Sequence, residues 1–243
     1  MERGRLQTAG NHGAGKDAMT DARVKNPLPV TGMIVTGVAA VITAAVSWVG
    51  WPEMADTLEE VLGPNKRPSV ATKSTVAVGT PVLLAVLALL PWPLLRVDRR
   101  LERRTPDYQL STGDRRRRAH CLSIIWCALA LVLLSLHVCL VAEMAGRAAP
   151  LYETLAVSFG ILLLALAAAL PYARRDPETI PPALRRMAAS ADHGYRRAIP
   201  LLRASGAATI ALGVLWPIVA LAVGGTGMCI ALTIAGATAI REG

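Results

Sequence analysis

Apolar residues fall in this chain as long unbroken blocks, not as stripes recurring every three or four positions. A helical block of about 18 or more apolar residues matches a bilayer core roughly 30 Å thick. The first block is 30–50, "VTGMIVTGVAAVITAAVSWVG", and the second is 75–95, "TVAVGTPVLLAVLALLPWPLL". The third and fourth are 120–142 and 152–172. The last apolar region, 204–240, has 37 residues, too many for one ordinary span. Its "GGTG" at 224–227 predicts a turn, which divides it into spans 204–223 and 226–240. "LLPWPLL" predicts the inner end of the second span, and Pro81 and Pro217 predict kinks.

The polar segments give the blocks an orientation. Loops on the cytoplasmic side of a membrane are enriched in Lys and Arg. The tail before residue 30 holds five, 96–118 holds nine, 173–203 holds seven, and Arg241 adds one. The alternate segments hold only Lys66, Arg67, Lys73 and Arg147. This asymmetry predicts an all-α, polytopic transmembrane helical bundle of six spans, with both termini inside. A chain of five spans would put its C-terminus outside. Trp48, Trp51, Trp92, Tyr152 and Tyr172 sit near span ends, where interfacial aromatics belong.

The organisation that follows has four parts. Residues 1–28 are a polar, Gly-rich tail without the early apolar core of a signal peptide, expected to be disordered and cytoplasmic. Residues 29–100 form a two-span unit around an outer loop, 51–74. Residues 101–118 are a basic inner loop, and 119–243 hold four spans around a cytoplasmic loop, 173–203. Within that last loop "PPALRRMAASA" starts with helix-compatible prolines and sets Leu184, Met187, Ala188 and Ala191 on one face. A short helix on the inner leaflet and an ordinary solvated connection both fit it.

Composition changes the picture little. Apolar residues make up 53%, there is one Phe, and 26 Lys+Arg stand against 17 Asp+Glu. In a soluble protein that excess of cations would suggest nucleic acid; here it lies in the loops and is spent on orientation, so no direct nucleic-acid binding is expected. Arg outnumbers Lys 22 to 4 in an Ala-rich chain, which suggests a GC-rich bacterium and its cytoplasmic membrane. Cys121, Cys127, Cys139 and Cys229 lie in or at the edge of apolar segments with no CxxC pair, as small hydrophobes do.

Chemistry is sparse. No GxSxG, HExxH or GxxxxGK[ST] occurs, "GGTGMC" lacks a strand-to-helix context, and the four histidines form no metal triad by spacing. The chain is expected to be no enzyme and to hold no cofactor. His137 is the ionisable residue inside the spans. Intramembrane ionisable groups mark substrate or proton sites, but a helix–helix hydrogen bond or an interfacial position explains one histidine equally. Glu143, six residues on, is a poor helical partner for it.

The outer loop carries the remaining signal: "WPEMADTLEEVLGPNKRPSVATKST" at 51–75. "MADTLEEV" predicts about two helical turns capped by Asp56 or Thr57, with Glu59 and Glu60 in the first turn. "GPNKRP" then turns the chain. Pro52, Asp56, Thr57, Gly63, Pro64, Asn65, Arg67, Pro68, Lys73 and Ser74, set between two spans, resemble the DUF1648 domain, which opens membrane proteins similar to the SdpI bacterial immunity family. The resemblance covers about residues 30–100. It departs at the family's histidine, which falls at Val61, and at the proline before it, which falls at Glu59. It implies a bundle that protects its cell from a secreted membrane-active peptide, in some members with a cytoplasmic regulatory protein as partner. Asp56, Glu59, Glu60 and Gly63 are then the candidates for outside recognition. A small permease or transporter accessory subunit, and a membrane-tethered scaffold for a cytoplasmic partner, are the alternatives.

Overall fold

The computed structural model describes residues 27–57, 72–104, 111–173, 180 and 182–241. Among them the chain is all-helical, with one isolated β-bridge, Thr57 to Thr72. Seven helices follow in order: α1 Val30–Gly50, α2 Lys73–Leu89, α3 Pro91–Arg104, α4 Thr112–Met144, α5 Leu151–Ala169, α6 Pro182–Gly213 and α7 Pro217–Arg241. Short 3₁₀ turns extend α1 over Trp51–Glu53 and α5 over Leu170–Ala173. Five segments are long and apolar enough to cross a membrane: Val30–Glu53, Lys73–Val97, Thr112–Met144, Leu151–Ala173 and Pro217–Ala237. The chain is therefore a multi-pass membrane protein by length and composition. Val38, Val41, Trp48, Val78, Val82, Ile218 and Leu232 are exposed, as lipid-facing side chains would be.

The helices pack as two trios joined by α4 against α5. In the first, α1, α2 and α4 approach closely because α1 offers small residues. A Cβ on Gly32 would lie 2.9 Å from Ser123 Cα and from Trp126 Cβ. Ala39, Leu84 and Ala130, one from each helix, bury together. In the second trio α5, α6 and α7 run antiparallel in turn. Leu163 and Ala167 of α5 meet Ala198 and Leu202 of α6 and Ala231 of α7.

Two expectations about the chain's ends of helices change. The "GGTG" segment does not turn. α7 runs through it, and Gly224 packs where a Cβ would lie 2.6 Å from Thr209 Oγ1. Between helices in a bilayer, glycine permits close approach more than it breaks the ladder. The break comes earlier, at Val214–Trp216, and Pro217 begins α7 rather than kinking a span; its missing N–H costs nothing at the first helical position. The basic segments are also more helical than charge alone implied. α4 starts at Thr112, with "RRRR" inside it, and α6 starts at Pro182 and continues unbroken to Gly213. Ser111 caps α4, its Oγ accepting from the Asp114 N–H at 3.1 Å and donating to Asp114 Oδ2 at 2.9 Å. At 33 residues α4 is about 50 Å long, so about two-fifths of it exceeds a core of roughly 30 Å.

"LLPWPLL" does divide two helices. Pro91 has no N–H to give the Leu87 carbonyl, as residue 91 would in a regular helix. The Trp126 Nε1–H donates to that carbonyl instead, at 2.8 Å. The indole of α4 thereby meets the backbone acceptor that the proline leaves short in α2.

Candidate functional site

One face of α1 carries Gly32, Thr36, Ala39, Thr43 and Ser47, all buried. These positions advance by three or four residues and form a continuous seam of small and hydroxyl side chains. Hydroxyls in a bilayer must find partners. Thr36 Oγ1 donates to the Gly32 carbonyl at 2.7 Å and Thr43 Oγ1 to the Ala40 carbonyl at 2.9 Å, each within its own helix.

The C-terminal end of the seam meets α4 at His137. The imidazole is 1% exposed. Its Nε2 lies 2.9 Å from Ser47 Oγ and 3.1 Å from the Thr43 carbonyl. A carbonyl only accepts, so an N–H on Nε2 would donate to Thr43 and leave Nδ1 a bare lone pair. If Nε2 instead accepts the Ser47 hydroxyl proton, Nδ1 carries the hydrogen. Either way Nδ1 is buried with no hydrogen-bond partner among the described residues. Apolar layers bracket this node. Met54, Val76, Val141 and Met144 pack on the side of the α1–α2 connection, and Ala39, Leu84 and Ala130 on the opposite side, toward the middle of α1. His137 and Glu143 do not pair: Glu143 Oε1 accepts the Ala149 N–H at 3.1 Å, closing the α4–α5 turn where Gly146 has φ +71°.

Beyond the node the rim formed by the α1–α2 connection and the end of α4 is tied together. Met54–Thr57 is non-helical and leads up to the expected cap at Asp56 or Thr57; the residues of the helix expected in "MADTLEEV" beyond Thr57 lie outside the described residues. The Ala55 N–H donates to the Met144 carbonyl at 2.8 Å, the Lys73 N–H to the Asp56 carbonyl at 3.0 Å, and Thr57 bridges to Thr72. Met54, 4% exposed, plugs the centre. Glu53 and Arg147 form an ion pair across the rim, and Lys73 Nζ sits 4.9 Å from the Trp51 ring centroid. Asp56 is exposed beside these ties. Glu59, Glu60 and Gly63, with Val61 at the family's histidine position, lie outside the described residues.

The structure thus brings His137 together with Thr43 and Ser47, which the sequence reading had not singled out. Their spacing along α1 was the available signal. No protein-family model, curated protein or solved structure matches this chain.

Proposed function

We propose that this chain is a non-catalytic sensor or immunity protein of the bacterial cytoplasmic membrane, of the DUF1648 and SdpI-like type. On this reading its outer rim meets a secreted membrane-active peptide, and its inner face meets a regulatory protein. The observation that carries the reading is the rim itself. The α1–α2 connection is tied to the end of α4 at Ala55–Met144 and Glu53–Arg147, directly over the buried His137 node. A contact outside is therefore mechanically continuous with the packing of α1 on α4, as a ligand that biases a bundle requires.

The reading includes six crossings with both termini inside. α6 is too charged to stand among the apolar spans, yet its residues 198–213 lie antiparallel between α5 and α7. Gly213 faces Ala156 and Val157 at one end, and Ala198 and Leu202 meet Ala167 at the other. A segment flanked by two crossing helices at the same depth crosses with them. The distribution of cations then puts 96–118 and 173–203 inside. Single cysteines at exposed Ala148 and exposed Arg116, in a chain freed of its own four, test this. An impermeant thiol reagent on intact cells should label the first and spare the second; the reverse pattern rejects the orientation.

The function is tested by survival. Cells lacking the gene, challenged with their own stationary-phase supernatant, should lose membrane potential and lyse. The intact gene should restore them, and a copy carrying Asp56→Ala, Glu59→Ala and Glu60→Ala should not. Equal survival with and without the gene rejects the immunity reading.

A further inference from the structure

We propose that α3 is a surface anchor that lies on the leaflet from which α2 emerges and binds the headgroups of anionic phospholipids. The inference rests on the membrane-spanning reading alone, not on orientation or on immunity. α3 follows a spanning helix after one residue, Leu90. It holds five arginines, at 96, 99, 100, 103 and 104, against Asp98 and Glu102. Clusters of this size at the end of a transmembrane helix, or along an amphipathic helix, match anionic lipid surfaces. Among the described residues α3 has no extensive packing on any helix but α2.

The pattern of α3 is amphipathic. Leu90, Leu94, Val97 and Leu101 fall at i, i+4, i+7 and i+11, one stripe of a helix. Arg96, Arg100 and Arg103 repeat at i, i+4 and i+7 on another side. Leu94 and Val97 are 44% and 51% exposed. If α3 ran straight on from α2, Leu94 and Val97 would close the crossing segment Lys73–Val97, but Leu101 and the arginines from 99 on would stand out in water. Laid in the interface the whole stripe buries with the arginines at the headgroups. The joint permits the bend, because Pro91 and Pro93 cannot donate the two ladder bonds that would stiffen it. Trp92 marks the depth. Its exposed ring carries the Arg96 guanidinium 3.6 Å from the centroid, an aromatic and a cation stacked where headgroups begin.

The competing occupant of a basic amphipathic helix is an acidic protein. Connectivity decides against it. Fourteen residues give a helix about 21 Å long joined directly to a spanning helix, so bending at Pro91 and Pro93 is enough to bring the arginine-bearing segment to the headgroups without recruiting anything.

Amide hydrogen exchange of the full chain in nanodiscs tests the proposal. Nanodiscs of phosphatidylcholine alone are compared with the same lipid mixed with phosphatidylglycerol; their two faces are alike, so orientation has no influence. Exchange in 91–104 should slow by about tenfold or more in the anionic bilayer. The variant Arg96→Gln, Arg100→Gln, Arg103→Gln should lose that protection, and so should Leu94→Gln with Val97→Gln. Unchanged exchange in α1 and α4 shows that either variant is folded. Equal exchange of 91–104 in the two bilayers overturns the proposal. So does protection by soluble polyglutamate in phosphatidylcholine nanodiscs with none from phosphatidylglycerol, which would assign the helix to an acidic protein.

Discussion

Replacing Gly160 with leucine should part α5 from α6 and cost about 3 kcal/mol or more of stability. Helix association inside a bilayer has little hydrophobic drive; it depends on close packing and interhelical hydrogen bonds. At Gly160 that packing is between backbones. A Cβ there would lie 2.8 Å from the Gly206 carbonyl oxygen and 2.6 Å from Ile210 Cγ1, and a Cβ on Gly206 would lie 2.9 Å from the Gly160 oxygen. Ile210 Cγ1 could rotate aside. A carbonyl cannot, so the helices must separate, and the shared cluster of Leu163, Ala167, Leu202 and Ala231 opens with them. Gly37 supplies the control, since nothing lies within 4 Å of its Cβ position. Gly37→Ala should leave stability unchanged or raise it by up to about 1 kcal/mol through helix propensity. Denaturant titration followed by circular dichroism compares the two. Equal stability of Gly160→Leu and Gly37→Ala would mean that the close crossing does not hold α5 on α6.

The same physics explains what could be read from the sequence. The first four apolar blocks are legible because each is a single run ended by Trp, Pro or charge. The division of the last apolar region is not, because glycine carries opposite meanings in water and in a bundle. Gly224 and Gly227 look like a turn until Thr209 and Ser205 are placed against them. The better signal was Pro217, a helix opener after "VLW". The inner half of α4 was hidden by its arginines, which are good helix formers once Ser111 and Asp114 cap them. At the candidate site, His137 was legible as an intramembrane ionisable residue. Its partners were not, because Thr43 and Ser47 are some ninety residues away in the chain. Only the parallel packing of α1 on α4 brings them to the ring.

Truncating His137 to alanine should cost about 3 kcal/mol, the scale of deleting a large buried side chain. The ring is 1% exposed and fills the level between two apolar layers. Ser47 would lose its partner on α4 but could turn to the carbonyl of Thr43, as Thr36 and Thr209 do to carbonyls four residues back. The cost is thus mostly volume, and His137→Leu separates volume from polarity. Leucine forfeits an interhelical hydrogen bond worth about 0.6–2 kcal/mol in a membrane. It also removes the unpartnered Nδ1, which costs about 1–3 kcal/mol while buried. These nearly cancel, so His137→Leu should sit within about 1 kcal/mol of the native chain in the same denaturant titration. A histidine that leucine can replace without loss of stability is not there to hold α1 on α4. On the proposed immunity reading its Nδ1 is then the group that a ligand, a water or a proton would meet, and the survival assay tests this. Lysis of cells carrying a stable His137→Leu chain would make His137 part of the response. Full protection by that chain would make it a filler and leave the proposed recognition to the rim.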